Sequence, residues 1–199
     1  MSRAKRAPGG IGRTSVAFGT AIVVAIPGKR GLFTCLDSMR LTAAGTAHTA
    51  TVLKDWSRTT LTANAAAAQA VINLAAALTD ADGNAMAVND HVAVELADGT
   101  WHNSTIASIA TLAVTLNANL PSAAKLGGAV VGYGAPADTN NAKNTFNVPA
   151  SATTQIPAAI NDSALIRSRF MNSPLIISDN NITATGAIED VQFSYDDGR

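Results

Sequence analysis

Residues 91–106 read HVAVELADGTWHNSTI. His91, Glu95, Asp98, Trp101 and His102 all fall within this stretch, and no other segment sets so many reactive side chains so close together. Its reading decides whether the chain is organised around a chemical site or around β-sheet. Asp98-Gly99 between two alternating runs is a two-residue hairpin signal, because a type I′ turn needs positive φ at both central positions. With those two as the loop, Leu96 faces Trp101 as an apolar cross-strand pair. Glu95 then faces His102 as a polar pair on the opposite face. His91 and Glu95 share a face because they are four residues apart on a strand. Two imidazoles and a carboxylate are a legal zinc set. However, His91 and Glu95 stand about 13 Å apart on a strand that rises about 3.3 Å per residue. The segment therefore reads as a hairpin with a solvated polar face, and no metal or catalytic residue is assigned.

The neighbouring runs repeat the pattern. VNDHVAVEL, TWHNSTIASI, TLAVTLNANL and AVVGYG are four short strand candidates between Val88 and Tyr133. Such spacing indicates a small, tightly wound β unit. Ser15–Ile26 is a strand candidate stopped by Pro27-Gly28. Gly31–Leu41, Ala50–Leu53, Leu175–Ile177 and Ala187–Tyr195 also read as strands. In the last, strict alternation puts Val191, Phe193 and Tyr195 on one face and Ile188 on the other. Ala63–Leu78 fits two readings. Its alanines and Val71, Leu74 and Leu78 at i, i+3, i+7 suit a helix, whereas VINL suits a short strand. Ala159–Ser168 reads as a short helical turn.

The fold class is thus all-β: a sandwich- or barrel-like body, an inserted small β lobe and an extended N-terminal arm. Residues 1–30 form the basic arm and first strand. Residues 31–84 and 140–199 form the main β body, and 85–135 the inserted barrel-like lobe. Insertion at a loop is inexpensive because closure entropy grows only logarithmically with length.

The chain has 199 residues, of which 47% are apolar and 14% charged, with no net charge. An ordinary soluble domain has about 25% charge. So low a charge suggests that partners cover much of the surface, and neutrality argues against nucleic-acid binding. The charge is uneven. Residues 1–36 carry Arg3, Lys5, Arg6, Arg13, Lys29 and Arg30 with no acid, while the last eleven carry Glu189, Asp190, Asp196 and Asp197 against Arg199. A basic start and an acidic end invite head-to-tail contacts between copies. The six cations are the candidate partner-binding residues. Met1–Thr14, with Pro8, Gly9, Gly10 and Gly12, has too little to bury and is expected to order only against a partner.

Other chemistries find little purchase. Cys35, the single cysteine, sits among Leu32, Phe33 and Leu36 and reads as a small buried apolar residue. His48 lies in a small-residue loop with no acid or thiol nearby in sequence. No serine sits in G-x-S-x-G, and no phosphate-cradling or dinucleotide motif is present, so no cofactor is assigned. TDADGN and YDDGR lack the ligand spacing of a calcium loop. The apolar run Ala17–Pro27 is too short to span a bilayer and no cleavage site follows it, so neither a membrane partner nor a targeting signal is assigned.

The segments TAHTATVLKDWSRTTL, AVNDHVAVELADGTWHNSTIASI and YGAPAD, behind a Gly-rich basic arm, resemble the head decoration or cement proteins of tailed bacteriophages. The resemblance implies a β-rich virion protein, often trimeric or otherwise homo-oligomeric, assembled in the host cytoplasm. It would sit on the capsid surface and clamp neighbouring major capsid subunits. It implies no catalytic residues. The alternative is a virion-surface fibre or glycan-binding module, for which Trp56, Trp101 and Tyr133 would be the stacking residues.

Overall fold

The structure, a computed structural model, describes residues 16–17, 22–43, 45–80, 82–138, 141, 143–156, 166–179 and 186–196. Its strands are β1 (Val16–Ala17), β2 (Ile22–Ile26), β3 (Phe33–Ala43), β4 (His48–Leu53), β5 (Ser57–Thr60), β6 (Val71–Asn73), β7 (His91–Glu95) and β8 (Trp101–Ala110). They continue with β9 (Ala113–Leu116), β10 (Ala129–Gly134), β11 (Thr145–Val148), β12 (Thr153–Ile156), β13 (Ile166–Arg167), β14 (Leu175–Asp179) and β15 (Gly186–Asp196). Every regular element among the described residues is a strand, so the fold is all-β, as the alternating runs indicate. The helical turn expected at Ala159–Ser168 lies mostly outside the described residues, and the described part holds β13. The chain divides into two compact units, Met1–Lys54 with Ala142–Arg199, and Asp55–Asn141.

The first unit is sandwich-like. One sheet runs β1-β15-β3-β12, with β13 also paired to β3, and the other runs β11-β4-β14-β2. All pairs are antiparallel. The core takes Leu36, Met39, Leu41, Ile188 and Val191 from the first sheet, and Val52, Leu175 and Ile177 from the second. Burying each such side chain contributes about 1.5–3 kcal/mol. The alternation expected along β15 fails. Ile188 shares this core with Val191, and Phe193 packs against it. The pairing of β15 with β3 shifts register between Glu189 and Gln192 and again before Phe193. A bulge inserts a residue and switches which parity faces inward. The same switch appears in β3, where Leu36 is buried in step with Thr34, but Met39, Leu41 and Ala43 follow the other parity.

In the second unit one sheet runs β5-β10-β7-β8-β9-β6. Its two end strands are joined by a bridge between Leu61 and Leu74, by Ala75 N–H to Thr60 O at 2.9 Å, and by Thr62 N–H to Asn73 O at 2.9 Å. The sheet thus curls into a small barrel around Leu61, Ile72, Leu74, Val92, Val94, Ile106, Val114 and Val130. Met86 packs inside where Gly132 leaves room, since a Cβ on Gly132 would lie 2.3 Å from its sulfur. The alanine-rich tract belongs here and is not helical. Ile72 and Leu74 are buried while Val71 is 40% exposed, a period of two that breaks the i, i+3, i+7 stripe. Pairing with β9 outweighs the helix preference of the alanines, because propensity is worth less than about 1 kcal/mol per residue.

The hairpin exists, but its loop is one residue longer than a type I′ turn. Glu95 lies opposite Trp101, Val94 opposite His102 and His91 opposite Thr105. Gly99 N–H donates to Leu96 O at 2.9 Å and Leu96 N–H to Thr100 O at 2.8 Å, and among these loop residues only Gly99 has positive φ (83°). This is a type I turn closed by a left-handed glycine. Asp98 suits it because its carboxylate accepts the Thr100 N–H at 2.9 Å and hydroxyl at 2.7 Å. A slip of one residue exchanges every cross-strand pair. Leu96 and Trp101 are therefore not partners, and neither are Glu95 and His102.

Candidate functional site

The solvated polar face expected on the hairpin, with His91, Glu95 and His102 together, does not assemble. Residues directly opposite share a face, so His91 and Glu95 lie on one face of the sheet and His102 on the other. Nor is the His91 face solvated: His91 is 7% exposed, and burial pushes its pKa down to about 4. Glu95 accepts the Ala129 N–H at 3.1 Å. His102 is hydrogen-bonded through Nε2 to Ala118 O at 3.0 Å. No group of three metal-ligating side chains gathers among the described residues. Of the three stacking candidates, Tyr133 is fully buried. Trp56 and Trp101 are half-buried, and Trp56 donates Nε1–H to Asn141 at 2.9 Å. Cys35 is buried at 1% exposed.

His48 has an acid partner that its sequence neighbours do not reveal. Its Nδ1 meets the carboxylate of Asp179, at the end of β14, and Nε2 lies 3.0 Å from Thr42 O on β3. Each ring nitrogen thus has an oxygen partner, one on β14 and one on β3. His48 and Asp179 are buried, and their contacts tie strands of the two sheets together.

The six candidate cations divide. Arg3, Lys5, Arg6 and Arg13 lie outside the described residues. Lys29 and Arg30 are exposed in the turn between β2 and β3. The turn is closed by Leu32 N–H to Lys29 O at 3.0 Å, with Gly31 at φ 75°. Segment 168–173 is laced against this turn. Asn172 N–H donates to Leu32 O at 2.8 Å, Ser168 N–H to Thr34 O at 2.8 Å, and Thr34 N–H to Ser168 Oγ at 2.9 Å. Gly28 is required by that approach, because a Cβ would lie 2.4 Å from Asn172 O.

This lacing adds two cations that sequence reading did not single out, Arg167 and Arg169, both exposed. Lys29 Nζ sits 5.3 Å over the Tyr195 ring, Arg167 stacks 3.9 Å over Phe33, and Arg169 lies 5.7 Å over Phe170. Arg167 also bonds Asp196 at 2.7 Å. That exposed pair adds at most about 1 kcal/mol to stability. The Tyr195 hydroxyl donates to Pro27 O at 3.1 Å, and burial pushes its pKa up. Met171, 41% exposed, adds an apolar contact to the same segment. The signal was present as RSRFM at residues 167–171, basic and aromatic residues interleaved. It could not be joined to Lys29 and Arg30 without the pairing of β13 to β3.

Guanidinium groups set over aromatic rings, beside an apolar side chain, suit an acidic protein surface: Arg recognises carboxylates bidentately while its stem covers apolar area. No family model matches the chain, and no curated protein or solved structure matches it either.

Proposed function

We propose that this chain is a structural protein of a tailed-bacteriophage virion. It binds the outer surface of the capsid and stabilises contacts between major capsid subunits, and it transforms no substrate. The observation that carries this reading is the exposed cationic end of the first unit. There Lys29, Arg167 and Arg169 stand over aromatic rings and Arg30 is exposed beside Lys29, on the same chain as the basic segment 1–14. A surface in which charge is paired with aromatic rings and methionine has the composition of a protein interface. Bridging two shell subunits adds buried area across their seam without a large core of its own. The glycan-binding alternative loses Tyr133, whose ring is buried.

The test is co-sedimentation with purified shells. Arg167→Glu/Arg169→Glu and, separately, a chain lacking residues 1–14 are compared with wild type for copies bound per shell. Each is expected to fall at least tenfold in affinity, and shells without the protein are expected to break at lower temperature. Full occupancy by both variants would overturn the reading.

A further inference from the structure

The inserted unit carries an apolar pocket at one end of its barrel. Leu78, Met86, Ile106 and Val114 line it, with the exposed Ala77 and Ala85 also on its wall. Its volume is about 70 Å³ and no charged side chain lines it. A water needs polar partners as well as room, and a cavity that takes benzene is about 150 Å³. The size and chemistry here suit one branched aliphatic side chain.

Carboxylates stand beside this pocket. The bridge between Thr79 and Ala85 closes the segment that carries Asp80 and Asp82 directly onto two wall residues, Leu78 and Ala85. Asp90 O accepts the N–H of the wall residue Ile106 at 3.0 Å. Burial pushes the Asp138 carboxyl up, and the nearby charges of Asp90, Asp80 and Asp82 push it further. The unit as a whole is acidic. Asp55–Asn141 holds seven acids against Arg58 and Lys125, a formal charge of −5, and since the full chain is neutral the remainder carries +5. The complementary segment is MSRAKRAPGGIGRT, residues 1–14, with four cations and no acid. Its one branched aliphatic side chain, Ile11, is two residues from Arg13.

We propose that residues 1–14 of one copy dock on the inserted unit of another, with Ile11 in the pocket and Arg6 and Arg13 toward Asp80 and Asp82. Because the two surfaces differ, the contact is heterologous and links copies head to tail, into a ring or a row. It does not depend on attachment to a shell and is measured in solution without one.

Sedimentation of the full chain at about 50 mM and about 500 mM salt reads the association, since the Debye length shrinks severalfold over that range. Three variants are compared: Arg6→Glu/Arg13→Glu, Asp82→Lys, and Ala77→Phe, which fills the pocket from an exposed position. Wild type is expected to exceed monomer mass at low salt and to dissociate at high salt. Each variant alone is expected to lose at least tenfold in self-affinity. An equimolar mixture of the arginine and Asp82 variants is expected to form heterodimers, because each supplies the surface the other lacks. Trp56 and Trp101 both lie in the inserted unit, so unchanged tryptophan emission shows that it is folded. If a variant misfolds, binding of a synthetic peptide of residues 1–14, wild type or Ile11→Asp, to a chain lacking them gives the same answer. A monomeric wild type at both salts, undiminished association of the folded variants, or a mixture that stays monomeric (docking within one chain) would each overturn the proposal.

Discussion

His91 makes the inserted unit sensitive to acid. Burial favours the neutral ring, so its pKa falls from 6.5 to about 4. The unfolded chain takes up the proton near 6.5, while the folded chain refuses it until about 4. The unfolded state therefore binds more protons between those values, and stability rises with pH across that window. The contribution is complete above pH 6.5 and is lost as pH falls through about 4. At 1.36 kcal/mol per pKa unit, the loss is about 2 kcal/mol between pH 7 and pH 5, and about 3 kcal/mol by pH 4. Asp90 and Asp138 act in the opposite sense. Burial raises both, so each adds stability at acid pH that is lost as pH rises. The difference between wild type and His91→Gln isolates the histidine from them. Urea unfolding followed by tryptophan fluorescence is the assay, since both tryptophans report on this unit alone. The gap between the two proteins should change by about 2 kcal/mol from pH 7 to pH 5, the wild type losing more. Parallel pH profiles would refute the reasoning and show that His91 is hydrated.

Further outcomes are expected in the first unit. His48→Ala leaves the Asp179 carboxylate buried without the imidazole and should cost about 3–5 kcal/mol, read by far-UV circular dichroism in urea; a loss below about 1 kcal/mol would show the pair to be dispensable. Gly28→Ala drives a Cβ into the Asn172 backbone and should cost about 1–3 kcal/mol, visible as a lower melting temperature. Leu36→Ala opens a cavity in the sandwich core and should cost about 2–5 kcal/mol without changing the tryptophan-detected unfolding of the inserted unit. Coupled loss of both signals would mean that the two units unfold as one.

Local chemistry carried much of the architecture. Alternating runs place strands at β7 to β10, β14 and β15, and turn residues separate them, because side-chain period and backbone conformational preference are properties of short segments. Cys35 among its apolar neighbours could be read as buried for the same reason. The rest depended on partners distant in sequence. The parity switch in β15 arises from its pairing with β3. Ile72 and Leu74 became strand through β9 and the Leu61 bridge, against a helix-forming composition. Asp179 reached His48, and Arg167 and Arg169 reached the Lys29 turn, only through strand order. Propensity acts within a few residues and is worth fractions of a kcal/mol, whereas antiparallel pairing joins segments more than a hundred residues apart. For this chain, strand existence was a local matter, and the register of β15, burial of His48 and His91 and clustering of the cations were tertiary ones.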